Sequence, residues 1–338
     1  MEKNQITIKD IAKKLNVSAS TISRALKDHP DISENTKIAV RELAAKLNYR
    51  PNTLARSLRQ KKSNIIGVVI PQVTHHFFSS VLSGIEDVAY KKKFNVIISQ
   101  SNENYEREVK NTYTLMQSQV DGILISKTKE TVNYTHFEDV VKNNIPIVFF
   151  DRICANINAD KVVVDDKNAA FEATEHLINI GCKKIAHFKG PKNLEITTKR
   201  LNGYLEALKK HNIPIYDSLI IESDTIEGGR EAMQKLIADE NIPDGIFAVN
   251  DMTAVGAMQE IKANNIKVPQ DIAIVGFTNG IISQISDPRL STIEQNAYQI
   301  GYRATELLIE RIESKKNIEN KTEIIPTKLI IRESSIRK

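Results

Sequence analysis

Two hydrophobic rhythms divide this chain. From Thr7 to Leu26 (TIKDIAKKLNVSASTISRAL) the apolar residues recur at helical spacing. Ile8, Ile11, Ala12 and Leu15 fall at i, i+3, i+4 and i+7, on one face of a helix. Thr7, with Asp10 three residues later, makes a capping-box-like start: a hydroxyl for orphan N–H groups and an acid near the positive helix end. Asn16-Val17 interrupts the rhythm, and Ser18 is a good N-cap for a second helix carrying Ile22 and Leu26 one turn apart. Pro30 closes that segment. Ser33 then restarts a third helix, with Ile38, Leu43 and Leu47 among its apolar positions. Three short helices predict an all-α unit over residues 1–50, near the lower size limit for independent stability.

From Ile65 the texture changes to short apolar runs separated by amphipathic segments of helix length. The runs are residues 65–70, 95–99, 122–126, 145–150, 162–164, 184–188, 219–223, 245–249 and 272–277. Continuous β-branched runs without alternation suit strands buried on both faces, as in parallel sheets. Alternating strand and helix predicts a doubly wound α/β architecture. So many strands exceed one comfortable domain, so two similar lobes are expected within residues 63–338. Between the two textures lie Tyr49-Arg50-Pro51-Asn52 and the basic stretch TLARSLRQKKSN. Residues 51–62 are apolar only at Leu54, Ala55 and Leu58, too short for a stable helix alone in water. They read as a linker that becomes helical when held against phosphates.

Composition narrows the function. With 338 residues, 41% hydrophobic and 26% charged, the chain has room for two or three domains. It has no apolar run of membrane-spanning length and no apolar leader at its N-terminus, so a cytoplasmic protein without a membrane partner is expected. Two cysteines, Cys154 and Cys182, fit small core residues in a reducing compartment. Trp is absent, which disfavours a base-stacking platform for single strands. The net charge of +5 is uneven: residues 1–62 hold 14 Lys/Arg against 6 Asp/Glu, while the remainder is slightly acidic, 33 against 36. The positive surplus therefore sits on the helical unit, where neutralising DNA phosphates would release counterions. Small polar residues on the second helix (Ala19, Ser20, Thr21, Ser23, Arg24) complete the pattern of a helix-turn-helix reader.

In open α/β sheets ligands bind beyond the carboxyl ends of the strands. That rule selects residues 71–78, 101–105, 151–152, 165–168, 194–200, 223–225, 250–251 and 278–279, rich in hydroxyls, amides, carboxylates and single arginines. Such chemistry suits a polyhydroxyl ligand such as a sugar. Catalytic signatures are missing: the chain has no G-x-G-x-x-G, P-loop, G-x-S-x-G or H-E-x-x-H. His75-His76 has no metal-spaced partner and reads as loop surface. Of Asp165-Asp166, one reads as a helix N-cap or structural group and the other as exposed. No enzyme activity, metal or cofactor is expected.

The pieces TIKDIAKKLNVSASTISRAL, RPNTLARSL, IIGVVIP, VDGILIS, IPIVFFDR, EHLINIGCKKIAHFKGP, RLNGY, AVNDMTAVGAM, VPQDIAIVGF and LSTIEQN resemble the lac repressor/gal repressor (LacI/GalR) family of bacterial transcription regulators over nearly the whole chain. The resemblance implies a helix-turn-helix domain (1–50), a hinge helix (51–62) and a two-lobed periplasmic-binding-protein-like sensor. The lobes would comprise about 63–163 with 296–324, and about 164–295 with 325–338. It implies that Ala19, Ser20 and Arg24 face base edges, and that Thr7, Ser18, Thr21, Ser23 and Thr36 hold phosphates. Asn52 and Ala55 would begin the hinge helix, and Leu58 would wedge between base pairs in the minor groove. Arg200 and Asn250 would contact effector, with Phe77, Asn168, Asp224 and Thr278 in ligand loops. One departure stands out: relatives have GFD or GYD after the last sensor strand, where this chain has GFTN, placing Thr278 where an effector-binding Asp is usual.

The resemblance implies a homodimer, since no further leucine heptad follows, and a pseudo-palindromic double-stranded operator. It also implies a sugar-like effector acting as inducer or corepressor. Two other functions compete: a sugar-binding protein or enzyme whose N-terminal unit is a protein-interaction module, and a sequence-indifferent nucleoid binder.

Overall fold

The computed structural model describes residues 6–49, 62–314 and 319–337. The chain divides into two compact units at Ser63/Asn64. In the first, α1 (Ile8–Leu15), α2 (Ala19–Leu26) and α3 (Glu34–Lys46) close around Ile11, Ala12, Ile22, Ala25, Val40 and Ala44. Thr7 donates its backbone N–H and its hydroxyl to Asp10 Oδ2 at the start of α1 (2.8 and 2.7 Å). Asn16 makes the turn into α2 with left-handed backbone (φ 53°), a conformation its short amide tolerates. Ser18 and Ser33 cap α2 and α3 by accepting the N–H of Thr21 and Thr36 (3.0 and 3.4 Å). Ile38, expected inside, is 50% exposed. The inward stripe of α3 is instead Lys37, Val40 and Ala44; Lys37 buries its stem and pairs with Glu34 (2.7 Å) and Asp28 (3.2 Å). The hinge positions Asn52, Ala55 and Leu58 lie outside the described residues.

The second unit has two lobes. The first is built from β1 (Ile65–Ile70), α4 (His76–Lys91), β2 (Asn95–Gln100), α5 (Tyr105–Gln117), β3 (Gly122–Ile125), α6 (Thr135–Lys142), β4 (Ile147–Phe150) and β5 (Asp160–Val164). The second contains α7 (Asp166–Asn179), β6 (Ile185–Lys189), α8 (Glu195–Lys210), β7 (Ile220–Glu222), α9 (Ile226–Ala238), β8 (Gly245–Ala248), α10 (Asp251–Ala263), β9 (Ala273–Thr278), α11 (Ile281–Ile285) and β10 (Ser291–Glu294). The chain then returns through α12 (Ala297–Glu313) and β11 (Thr322–Ile325) to the first lobe, and β12 (Lys328–Ile330) joins the second.

The six-stranded sheets run β11-β5-β4-β3-β1-β2 and β12-β10-β9-β8-β6-β7. Every neighbouring pair is parallel except β12, which runs antiparallel to β10. The nine anticipated strands are all present. Three more, β10, β11 and β12, did not stand out because they are short and carry polar residues (STIE, TEII, KLI).

Central strands are buried on both faces, as their β-branched runs require. In the first lobe Val68, Ile70, Val148 and Phe150 pack under α4 and α12, while Ile123, Ile125 and Phe149 pack against Phe137 and Leu115 on the other side. Helices α4 and α12 cross in backbone contact: a Cβ on Gly84 would lie 2.1 Å from Tyr298 O, and one on Gly301 would lie 2.0 Å from Val81 O. Only glycine allows that approach. Both cysteines are buried core residues. Among the described residues no helix is long and apolar enough to cross a membrane.

Candidate functional site

The carboxyl ends of strands from both sheets of the second unit meet at a cavity of about 130 Å³. On the first lobe, Glu103 accepts two hydrogen bonds from Arg152 Nη1 (2.7 and 2.9 Å) and one from the Lys129 N–H (2.9 Å). Burial opposes the Glu103 charge, but these partners outweigh it and hold its carboxyl below the usual range. A second carboxylate, Glu108, is fully buried and accepts from the Thr128 N–H (2.6 Å) and Thr131 Oγ1 (2.7 Å), with His136 Nε2 at 3.0 Å. Glu103 and Glu108 thus pin the segment 127–131. That segment reaches the other lobe: Lys129 Nζ donates to Asp224 Oδ2, Lys127 Nζ donates to Asn193 O, and Asn193 Nδ2 donates to Lys129 O, each at 3.2 Å.

On the second lobe Arg200, from α8, is 4% exposed. Its Nε donates to Asp166 Oδ1 (2.8 Å), its Nη1 donates to Val249 O (2.6 Å), and the guanidinium lies 3.6 Å from the centre of the Phe277 ring. Asn250 caps α10: its Oδ1 accepts the Thr253 N–H (2.8 Å) and its Nδ2 donates to Asp224 O (2.9 Å). Thr278 ends β9 with φ 130° and donates its hydroxyl to Gln295 Oε1 (3.0 Å).

Asp151 and His75 are shifted as well. Burial pushes Asp151 up to about 6. Burial, aided by the positive charge of Arg152, lowers His75 to about 4, so its ring is neutral. Several buried atoms of cleft residues have no hydrogen-bond partner: His75 Nδ1, Arg152 Nε, Thr197 Oγ1 and Gln295 Nε2.

The helical unit presents a different surface. Ser20 and Arg24 are exposed on α2, with Ala19, Thr21 and Ser23 half-buried beside them. Ser18 Oγ lies 2.9 Å from Ser20 Oγ and 2.8 Å from Thr21 Oγ1, and Ser33 Oγ lies 2.8 Å from Thr36 Oγ1. The Arg24 guanidinium stands 3.9 Å from Asp31 with both groups largely in solvent. Its donors are available to an incoming acceptor.

Residues 7–52 match the model of bacterial regulatory proteins of the lacI family, and residues 174–335 match a periplasmic binding protein-like domain. Catabolite control protein A of Priestia megaterium is 33% identical over 332 residues, covering 98% of this chain and 99% of that protein. The chain belongs to the LacI family. The ribose operon repressor of Halalkalibacterium halodurans is 34% identical over 330 residues, 97% of each chain. Among solved structures, the lac repressor dimer bound to operator superposes with a TM-score of 0.87 at 23% identity, over 99% of this chain and 100% of that one. A LacI-family regulator from Enterococcus faecium with bound ribose superposes with a TM-score of 0.71 at 28% identity, over 80% of this chain and 98% of that one. Like these relatives, the protein is a DNA-binding transcriptional regulator and not an enzyme.

The LacI-family cleft gathers Phe77, Arg200, Asp224, Asn250 and Thr278 from the residues singled out in the sequence. It does not gather Asn168. That side chain lies on the exposed side of α7, donating to Glu172 Oε1 (2.8 Å), because the turn of helix after Asp165 carries it away from the strand ends. Of the two adjacent carboxylates, Asp165 is the exposed N-cap, accepting the Asn168 N–H, and Asp166 is the structural one, buried against Arg200. One residue further along the first turn points inward, so adjacent carboxylates face opposite environments. His75, read as loop surface, is half-buried in the cleft wall.

Gln295, Lys129, Asp151 and Arg152 were not singled out as effector residues. Asp151-Arg152 lies in a loop that the strand-end rule had selected. Gln295 follows β10, a strand whose mixed polarity concealed it, so the same rule could not reach it.

Proposed function

We propose that the protein is a homodimeric repressor of carbohydrate-use genes. It takes a pseudo-palindromic double-stranded operator, one half-site per reader, and its grip is set by a sugar-like molecule in the cleft between the sensor lobes. The observation that carries this is the cleft itself: buried polar groups from both lobes converge on one cavity with part of their hydrogen-bonding capacity unused. The ribose-bound relative supports a sugar-like ligand. Large apolar side chains left in solvent support pairing of two copies: Tyr90, Ile97 and Ile98 on the first lobe, and Ile281 and Ile285 on the second. In the dimer, Asn52, Ala55 and Leu58 of paired hinges enter the minor groove. Ala19, Ser20 and Arg24 read bases, while Thr7, Ser18, Thr21, Ser23 and Thr36 hold phosphates. Ligand that brings the lobes together shifts their angle and thereby the spacing of the hinges. By linkage, the factor by which ligand changes DNA affinity is the factor by which DNA changes ligand affinity. The protein works in the bacterial cytoplasm, where its operator is.

The test is fluorescence anisotropy of a selected operator duplex with the full chain, with and without sugars. The expected result is tight, sequence-dependent binding that changes on adding one sugar class and disappears on deleting residues 1–62. Replacing Leu58 with Ala should weaken operator binding more than binding to random duplex. DNA binding unchanged by the deletion would overturn the proposal.

A further inference from the structure

We propose that the ligand of this cleft is a sugar acid, a polyhydroxylated chain or ring ending in a carboxylate, and that Gln295 is the residue that selects it. The inference rests on reading the cleft as the effector site and adds the chemistry of its occupant.

The argument starts at the back wall. Thr278 is β-branched, yet its φ of 130° lies in a region such residues rarely enter. Strain of this kind persists where the surroundings over-determine it, and it clusters at ligand sites. Here it fixes the hydroxyl on Gln295 Oε1 (3.0 Å). Gln295 is 2% exposed, and its Nε2 is left buried without a partner. A carboxylate at position 278 would accept from that N–H. A threonine that donates to the oxygen leaves the N–H for something else.

A second open donor belongs to another residue of the cavity wall. Arg152 spends Nη1 on Glu103, while its Nε is buried and unpartnered, with Asp151 Oδ2 3.9 Å away, beyond hydrogen-bond reach. Both groups can only donate. A buried donor left unmade is costly, so a ligand that brings strong acceptors to these positions is favoured. Carboxylate oxygens accept only, and they form the stronger, charge-assisted bonds with a guanidinium. The rest of the cleft asks for hydroxyls. Asp151 lines the cavity with no side-chain hydrogen bond of its own, and Asp224 offers acceptor capacity beside Lys129. Acceptors at one end and donors along the body describe an oxidised sugar better than a neutral one.

Isothermal titration of the full chain at neutral pH, with D-glucuronate, D-galacturonate and D-gluconate against D-glucose, D-galactose and D-ribose, tests this. At least one acid should bind roughly tenfold or more tightly than every neutral sugar. Gln295→Glu, which keeps the shape and exchanges the donor for an acceptor, should weaken that acid by roughly tenfold or more and leave the neutral sugars within about threefold. Thr278→Asn provides the same reading if the buried Glu prevents folding. Its amide oxygen can claim Gln295 Nε2 without adding charge. Neutral sugars that bind as tightly as the acids, or variants that weaken both classes alike, would overturn the proposal. If neither class binds, the reading of the cleft as a sugar-like effector site falls, and this inference with it.

Discussion

The reader and the cleft handle polar groups in opposite ways. On the helical unit the hydroxyls of Ser18, Ser20, Thr21, Ser33 and Thr36 sit at the surface, already bonded to one another or to helix ends. In the cleft, Arg152 Nε, Gln295 Nε2 and His75 Nδ1 are buried and unbonded. The first surface works by accumulated charge, which acts over roughly a Debye length and is screened by salt. The second works by completion: a few bonds in a water-poor space, each specific and hardly screened. On the function proposed above, one protein recognises a polyanion and a small molecule by different physics.

Salt gives the largest separation. Operator affinity should fall by roughly a hundredfold or more between 50 and 200 mM salt, while sugar affinity changes by less than about threefold. Anisotropy and calorimetry at matched salt check this; a parallel decline would mean that the cleft also works by long-range charge.

Next in size is Arg200→Ala. It leaves Asp166 buried without its partner, which typically costs about 3–5 kcal/mol. Urea unfolding followed in the sensor should show that loss, with ligand binding abolished, and much of the loss should be recovered in Arg200→Ala combined with Asp166→Ala. A stable single variant would show that Arg200 serves the ligand alone.

Asp151→Asn sharpens the picture through pH. The folded pKa of Asp151, about 6, lies above that of an unfolded chain. The folded state therefore holds the proton more firmly, and stability falls as pH rises from about 4 to about 6 and is level above that. The variant should exceed the parent by about 2–3 kcal/mol at pH 7 and match it near pH 4. Asp251, also pushed to about 6, contributes in the same window, so the variant-minus-parent difference is the quantity to read from the thermal melts.

Smallest is Lys129→Met. The Lys129–Asp224 pair is about one-third exposed, 33% and 28%, and such pairs contribute at most about 1 kcal/mol. Its loss should leave the melting temperature nearly unchanged but speed ligand entry in stopped-flow mixing. A large loss of stability would make segment 127–131 a pillar rather than a clasp.

Much of the fold was legible because its central strands are continuous β-branched runs, and such runs have few other uses. The concealed strands carry polar residues that the fold satisfies internally. Thr292, fully buried, donates its hydroxyl to Asp251, and Ser291 Oγ meets Ser335 Oγ. No local pattern announces a partner 41 or 44 residues away. The same limit explains the cleft. Loops at strand ends pointed to Arg200, Asp224 and Thr278, but Gln295 depended on an unrecognised strand. The fate of Asp166 depended on which way one turn of α7 faces, and Ile38 and Lys37 exchanged places for the same reason on α3.

The return of α12 and β11 to the first lobe also bears on how the chain is made. Ile300, Ala304, Leu307, Leu308 and Ile309 belong to the same core as Ile66, Val68 and Val148, and β11 covers the edge of β5. A ribosome that has finished β5 must still deliver the whole second lobe before that core can close, a delay on the order of 10 s at ordinary elongation rates. For that interval the nascent first lobe holds an open apolar face and a bare strand edge. The second lobe lacks only the short β12 and the segment 331–337 once β10 is complete. The lobe synthesised first is therefore finished late, and the need for chaperone protection falls on it.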